Sequence, residues 1–169
     1  MLRKAMIFLT ILLLCTAVFA KPALNVGSPP PGFSLPNLSG KNISLENHLG
    51  RDVVILSFFA SWSKSCQQEI CFLQELAKQY KQKNLQIIGI SYDRKLDTLK
   101  KYVEKNDFEL EILHDKKLQT LKDFRILIIP TLLVIEQSGD IRSIYVDFDE
   151  NVKEAVSQDI QKLLSPPEK

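Results

Sequence analysis

Residues 58–73 read FFASWSKSCQQEICFL, and within them the periodicity of the chain changes. Residues 53–59, VVILSFF, form a nearly continuous apolar run of the kind found in strands buried on both faces. Downstream, Ile70, Leu73, Ala77 and Tyr80, with Phe72 and Leu76, recur at helical spacing. The stretch is therefore a strand-to-helix junction, and Ser63, Lys64, Ser65 and Cys66 fall at the helix's first turn. Amides there lack intrahelical partners and the macrodipole is positive, so the position favours a thiolate at Cys66. Ser63 and Ser65 are both candidate N-caps, and Ser65 with Gln68 fits a capping box. Either choice leaves Cys66 in the first turn.

Outward from this junction the alternation continues. Phe33-Ser34-Leu35 and Ile43-Ser44-Leu45 flank Asn37-Leu38-Ser39-Gly40, a hairpin signal. Residues 85–91 (LQIIGIS) make a second buried strand, followed by an amphipathic helix within 95–106 carrying Leu96, Leu99 and Val103. A short strand over 109–113 and a short helix over 116–124 come next. Residues 131–135 and 141–146, split by Gln137-Ser138-Gly139-Asp140, read as a strand hairpin. Val152, Val156, Ile160 and Leu163 form the last helix, and Pro166-Pro167 ends it. Strands alternating with helices require parallel crossovers, and the closing hairpin adds antiparallel strands. The expected fold is α/β: a three-layer sandwich with a central mixed sheet, preceded by an N-terminal hairpin. One domain spans 33–165, after a proline-rich linker over 21–32 and before a tail over 166–169, with no internal repeat.

Composition narrows the class. The chain has 169 residues, 45% hydrophobic and 25% charged, which excludes disordered, collagenous and disulfide-dense proteins. A net charge of +2 without a Lys/Arg cluster excludes the usual nucleic-acid binder. Residues 1–20, MLRKAMIFLTILLLCTAVFA, carry Arg3 and Lys4, then an apolar core over 6–14, then Val18-Phe19-Ala20. This is the pattern of a signal peptide cleaved after Ala20. An uncleaved membrane anchor is the alternative, and only that case implies membrane contact. A lipoprotein site at Cys15 is disfavoured by Leu14, where a small residue is expected. Loss of the leader removes two of the 22 basic residues and leaves 20 against 20 acidic ones, with Cys66 and Cys71 as the two cysteines. The expected location is periplasmic or otherwise extracytoplasmic, where disulfides persist.

These residues carry a resemblance. Val26-Gly27, Pro31-Gly32-Phe33-Ser34-Leu35, residues 40–45 (GKNISL), Phe58-Phe59-Ala60-Ser61-Trp62, Ile129-Pro130-Thr131 and Gly139-Asp140-Ile141 are similar to motifs of the thioredoxin-like redoxins. That superfamily includes the alkyl hydroperoxide reductase/thiol-specific antioxidant proteins. The likeness is especially to exported thiol–disulfide oxidoreductases of the cytochrome-maturation type, which act in cell redox homeostasis. Their active site is Trp-Cys-x-x-Cys; here Trp62-Ser63-Lys64-Ser65-Cys66 stands in its place. Ser63 thus occupies the attacking position and Cys66 the resolving one. A hydroxyl without a neighbouring base does not replace a thiolate, so ordinary dithiol exchange cannot run through Ser63. The resemblance implies that Glu69 is the acidic residue near the cysteines and that Pro130 is the cis-proline facing them. It implies no cofactor and no metal.

Cys71 opens a second resemblance. Cys66-Gln-Gln-Glu-Ile-Cys71 is similar to the Cys-x4-Cys of peroxiredoxin Q-type peroxidases, which would make Cys66 peroxidatic and Cys71 resolving. Phe59 replaces that family's proline, Ile129-Pro130-Thr131 replaces its Arg-x-Thr, and Arg125 lies too far upstream to stand in. On an intact helix, residues five apart lie ~8.7 Å between Cα atoms, whereas disulfides rarely exceed ~7 Å. A Cys66–Cys71 bridge therefore requires the first turn to unwind. The plain alternative makes Cys71 a small apolar residue on the core face. His48 and His114 are expected as surface residues, and no zinc spacing is present.

Three functions follow. The leading one is an exported oxidoreductase acting through the single active-site Cys66, with Cys71 or a partner's thiol resolving. Glu69 would move protons, while Trp62, Ser63, Lys64, Ser65 and Pro130 shape the site. Its partners are proteins with thiols or disulfides, or low-molecular-weight thiols. The second is a thiol peroxidase with peroxide as substrate. The third is a redox-inactive binding module.

Overall fold

The computed structural model describes residues 24–165. The expected leader, with Cys15, the first linker residues 21–23 and the tail with Pro166-Pro167 lie outside the described residues. Two short strands, β1 (Ser34–Pro36) and β2 (Asn42–Ser44), pair antiparallel with Leu35 opposite Ile43. A single 3-10 turn, Leu45–Asn47, follows and buries Leu45. β3 (Val53–Phe59) then leads into α1 (Lys64–Gln79), β4 (Leu85–Ser91), α2 (Leu96–Lys105), β5 (Glu111–His114) and α3 (Gln119–Asp123). β6 (Thr131–Ile135), β7 (Ile141–Val146) and α4 (Glu150–Leu164) complete the chain.

The main sheet has five strands in the order β5-β4-β3-β6-β7. β3, β4 and β5 run parallel, while β6 is antiparallel to β3 and β7 antiparallel to β6. The mixed sheet with flanking helices and the small N-terminal sheet are those of a thioredoxin-like fold. No helix among the described residues is long and apolar enough to cross a membrane.

Alternation along β3 explains why its sequence reads as one apolar run. Successive side chains point to opposite faces. Val53, Ile55 and Phe59 join Ile70 and Leu73 of α1, Leu99 of α2 and Val156 and Ile160 of α4 in one core. Val54, Leu56 and Phe58 join Leu45, Phe124, Leu133 and Ile141 in the other, which β1 and β2 cap with Leu35 and Ile43, and Phe33 just before β1 packs beside them. The same parity places Ser57 on the α1 side. At the chain's described start, the Gly27 amide donates to the Ile141 carbonyl and the Ile141 amide donates to Ser28, tying this segment to β7.

Three details depart from expectation. The helix expected over 116–124 begins only at Gln119, because Leu118 takes a left-handed conformation (φ 55°) and Asp115 accepts from the amides of Gln119 and Thr120. The strand expected over 109–113 is displaced to Glu111–His114. His114 is consequently not a surface residue. Pairing opposite Ser91 draws it under the loop after β4, where it is buried and its Nε2 bonds the Asp93 carbonyl.

Candidate active site

Residues 62–66 sit where the expectation placed them, between the end of β3 and the start of α1. Ser63 is extended (φ −87°, ψ 124°) and caps the helix, its hydroxyl oxygen accepting from the Cys66 amide at 3.4 Å. The Ser65–Gln68 capping box does not form. The Ser65 hydroxyl instead donates to Asp147 Oδ1 at 2.7 Å. Asp147, just past β7, adopts φ 65° and donates its amide to the Pro130 carbonyl at 2.9 Å. The Ile129–Pro130 peptide is cis. Asp147 therefore joins the first turn of α1 to the loop before β6. That loop thrusts Leu127 and Ile128 into solvent, at 93% and 55% exposure.

Cys66 is wholly buried. Desolvation pushes its thiol above the ordinary cysteine value, the Ser63 side chain and Ala60 backbone oppose the rise, and Glu69 adds to it when ionised. The thiolate expected from the helix terminus is thus overridden by burial: removal from water penalises the anion more than a first-turn position stabilises it.

Glu69, one turn further, is also wholly buried. Burial raises its carboxyl to about 8; the Ser57 hydrogen bond opposes this and the Asp147 charge reinforces it. Oε1 accepts from the Ser57 hydroxyl, while Oε2 has no partner among the described residues. At neutral pH Glu69 is therefore mainly a protonated acid held against β3.

Cys71 is exposed, not a core residue. Five residues at ~100° each turn its side chain about 140° from that of Cys66, whereas Ile70 and Leu73 stay within about 40° of it. Cys71 opens onto a cleft of about 830 Å³ with Lys64, Gln68 and Phe72 on one wall and Phe148, Glu150 and Lys153 on the other. Both cysteines are free and α1 is continuous between them.

Trp62 stands on the opposite side of the motif, 72% exposed. Its neighbour Ser61 is held by Asp93, whose carboxylate accepts from the Ser61 amide (2.9 Å), the Ser61 hydroxyl (2.7 Å) and the Ser91 hydroxyl (2.7 Å). The predicted residues thus separate into buried Cys66, Glu69 and Pro130 with half-buried Ser63 and Ser65 around them, an outer cleft with Lys64 and Cys71, and exposed Trp62. Ser57, Asp93 and Asp147 were not predicted. Ser57 was legible as the one polar residue in an apolar run; Asp93 and Asp147 act through loop geometry that leaves no pattern. Among the described residues no group of three or more His, Cys, Asp or Glu is arranged to hold a metal ion.

Comparison with known proteins places these features in context. The model of the AhpC/TSA family matches residues 26–144. Thiol-disulfide oxidoreductase ResA of Bacillus thuringiensis subsp. konkukian (strain 97-27) is 28% identical over 162 residues, covering 90% of this chain and 92% of that protein. The chloroplastic peroxiredoxin Q of Gentiana triflora is 35% identical over 77 residues, covering 46% of this chain and 35% of that protein. Among solved structures, a thiol-disulfide oxidoreductase from Bacteroides fragilis NCTC 9343 superposes with a TM-score of 0.71 at 28% identity, covering 81% of this chain and 100% of that one.

Proposed function

This chain belongs to the AhpC/TSA family, and from that premise we propose that it is an exported thioredoxin-like thiol–disulfide oxidoreductase that works with Cys66 as its single motif cysteine. The observation that carries the reading is the cluster itself: buried Cys66 capped by Ser63 and backed by the buried, protonated Glu69, with Ser65 and Asp147 linking the same helical turn to Pro130. A disused site has no need to keep an acid buried against β3. Likeness to ResA, named a thiol-disulfide oxidoreductase, supports the activity, and the leader pattern over residues 1–20 supports export.

The chemistry is one exchange followed by one resolution. The Cys66 thiolate attacks one sulfur of an external disulfide, forming a mixed disulfide and releasing the other sulfur as a thiolate. Cys71 then attacks the Cys66 sulfur, closing an internal disulfide and expelling the attached sulfur as a thiolate, or a partner's thiol attacks the attached sulfur, forming a disulfide with it and releasing Cys66 as a thiolate. Glu69 accepts the Cys66 proton as the thiolate forms, which its value near 8 suits at mildly alkaline pH. Because Cys66 is buried, the first turn of α1 must open for the attack.

The test uses Cys71→Ala, so that Cys66 is the one thiol of the chain after its leader. Treatment with glutathione disulfide should add one glutathione to Cys66, faster as pH rises through 8. A native protein that stays unmodified while its urea-unfolded form reacts would overturn the reading.

The peroxidase reading rests on the peroxiredoxin Q likeness and on Cys66 and Cys71 sharing one helix. It requires stoichiometric peroxide to convert both thiols into an internal disulfide. The raised Cys66 thiol opposes it, because peroxide is attacked by thiolate.

A further inference from the structure

The corner beside Trp62 gathers exposed basic side chains. After removal of the leader the chain has equal numbers of basic and acidic residues, so a basic patch here is local. At the carboxyl ends of parallel β4 and β5, Arg94, Lys95 and Lys116 are exposed, and none forms an ion pair among the described residues. They line two adjoining clefts of about 460 and 370 Å³, the first walled by Trp62 and the second reaching Lys116.

The acids of this corner face inward. Asp93 is 3% exposed, with its carboxylate engaged by Ser61 and Ser91. Asp115 is 1% exposed and accepts from the amides of Gln119 and Thr120 and from the Thr120 hydroxyl. Asp97 is the acid that remains on the rim. By contrast, the cleft at Cys71 mixes Lys64 and Lys153 with Glu75, Asp149 and Glu150. Lys95 also stands at the N-cap of α2 without offering a side-chain acceptor, and Asp97 in that first turn is the acid that offsets the helix's positive end.

From this arrangement we infer that the Trp62–Arg94–Lys95–Lys116 corner is a docking surface for an acidic peptide segment of a redox partner protein. An exposed tryptophan beside basic side chains supplies apolar contact area, and the basic side chains supply steering and register. Trp62 is adjacent to Ser63 in the chain, so a segment docked here brings a neighbouring cysteine toward the motif. The inference rests on the proposed oxidoreductase function for the identity of the partner but not for the binding itself.

Trp62 is the only tryptophan in the chain, so its emission reads the corner directly. The purified protein is titrated with hexaglutamate, which carries no sulfur. A saturable change in emission is expected, weakened several-fold between about 0.05 M and about 0.5 M salt. The Arg94→Glu/Lys95→Glu double variant should lose at least about tenfold in apparent affinity, and Cys66→Ala should lose none. Equal binding of hexalysine, no loss in the double variant, or displacement by free glutamate at matched carboxylate concentration would each overturn the inference, the last by marking a small-anion site. Failure of the glutathione test with hexaglutamate binding intact would reject the redox reading alone.

Discussion

At the scale of single residues, burial decides the chemistry. Glu69 has a carboxyl raised from 4.5 to about 8, with Ser57 and Asp147 as its polar neighbours. Unfolding releases it to ionise in water, so between about pH 5 and pH 8 the unfolded state binds fewer protons than the folded one. Stability attributable to Glu69 is therefore fully present below the unfolded value and falls as pH rises through that window, at up to about 1.4 kcal/mol per pH unit. Glu69→Gln should remove this slope and leave the protein a few kcal/mol more stable than the parent at pH 8. Urea midpoints measured at several pH values check it; a parental slope in the variant would show that Glu69 is not the titrating group. Ser63 is the other deciding residue. Ser63→Cys supplies the missing sulfur at a cost of about 1 kcal/mol for the lost cap. The variant should form a disulfide with Cys66, and its dithiothreitol-coupled reduction of insulin should exceed the parent's by at least about tenfold, since the parent has only one motif thiol. Parental activity in the variant would mean that the rest of the site no longer supports exchange.

At the scale of elements, what matters is how the first turn of α1 is held shut. Ser63 caps it from inside, and Ser65 ties it to Asp147, which in turn holds the Pro130 carbonyl. Ser65→Ala cuts the tie without touching either cysteine or the cap. Labelling of Cys66 by a thiol reagent in the Cys71→Ala background should then accelerate several-fold, reflecting the loss of about 1 kcal/mol from the closed state. An unchanged rate would place the barrier elsewhere. Both the element order and this junction were legible in the sequence, because VVILSFF and the Ile70–Leu73–Ala77 spacing differ in period and the strand bounds fall at breaks in apolar runs. The exposure of Cys71 was legible too: its angle from Ile70 and Leu73 on the helix places it outward, although the sequence reading left it as a core candidate. The burial of Cys66 was not legible. It depends on how β3, α1 and the Pro130 loop close together, and local periodicity contains no measure of that. Asp93 and Asp147 were missed for the same reason, since each bonds a residue tens of positions away through a loop.

At the scale of the molecule, the sheet lies between two cores and belongs to both. Every residue of β3 is buried, with one parity packed against α1, α2 and α4 and the other against Leu45, Phe124 and the small N-terminal sheet. Neither core can melt and leave its side of β3 exposed without also loosening the other, so the domain should unfold in one transition. Leu73 lies in the first core and Leu133 in the second, each wholly inaccessible to solvent. Leu73→Ala and Leu133→Ala should each cost about 2–5 kcal/mol through lost burial and the cavity left behind, a large share of the 5–15 kcal/mol typical of a whole domain. Far-UV circular dichroism reads all the helices. Trp62 emission reads the motif end, where Ser61 is anchored to Asp93 beyond β4. The two probes should give coincident urea transitions in the parent and in both variants, with unchanged slopes and lowered midpoints. If Leu73→Ala shifted the helical transition while Leu133→Ala left it in place, the two cores would be separate folding units. The shared strand would then not couple the motif to the far side of the sheet.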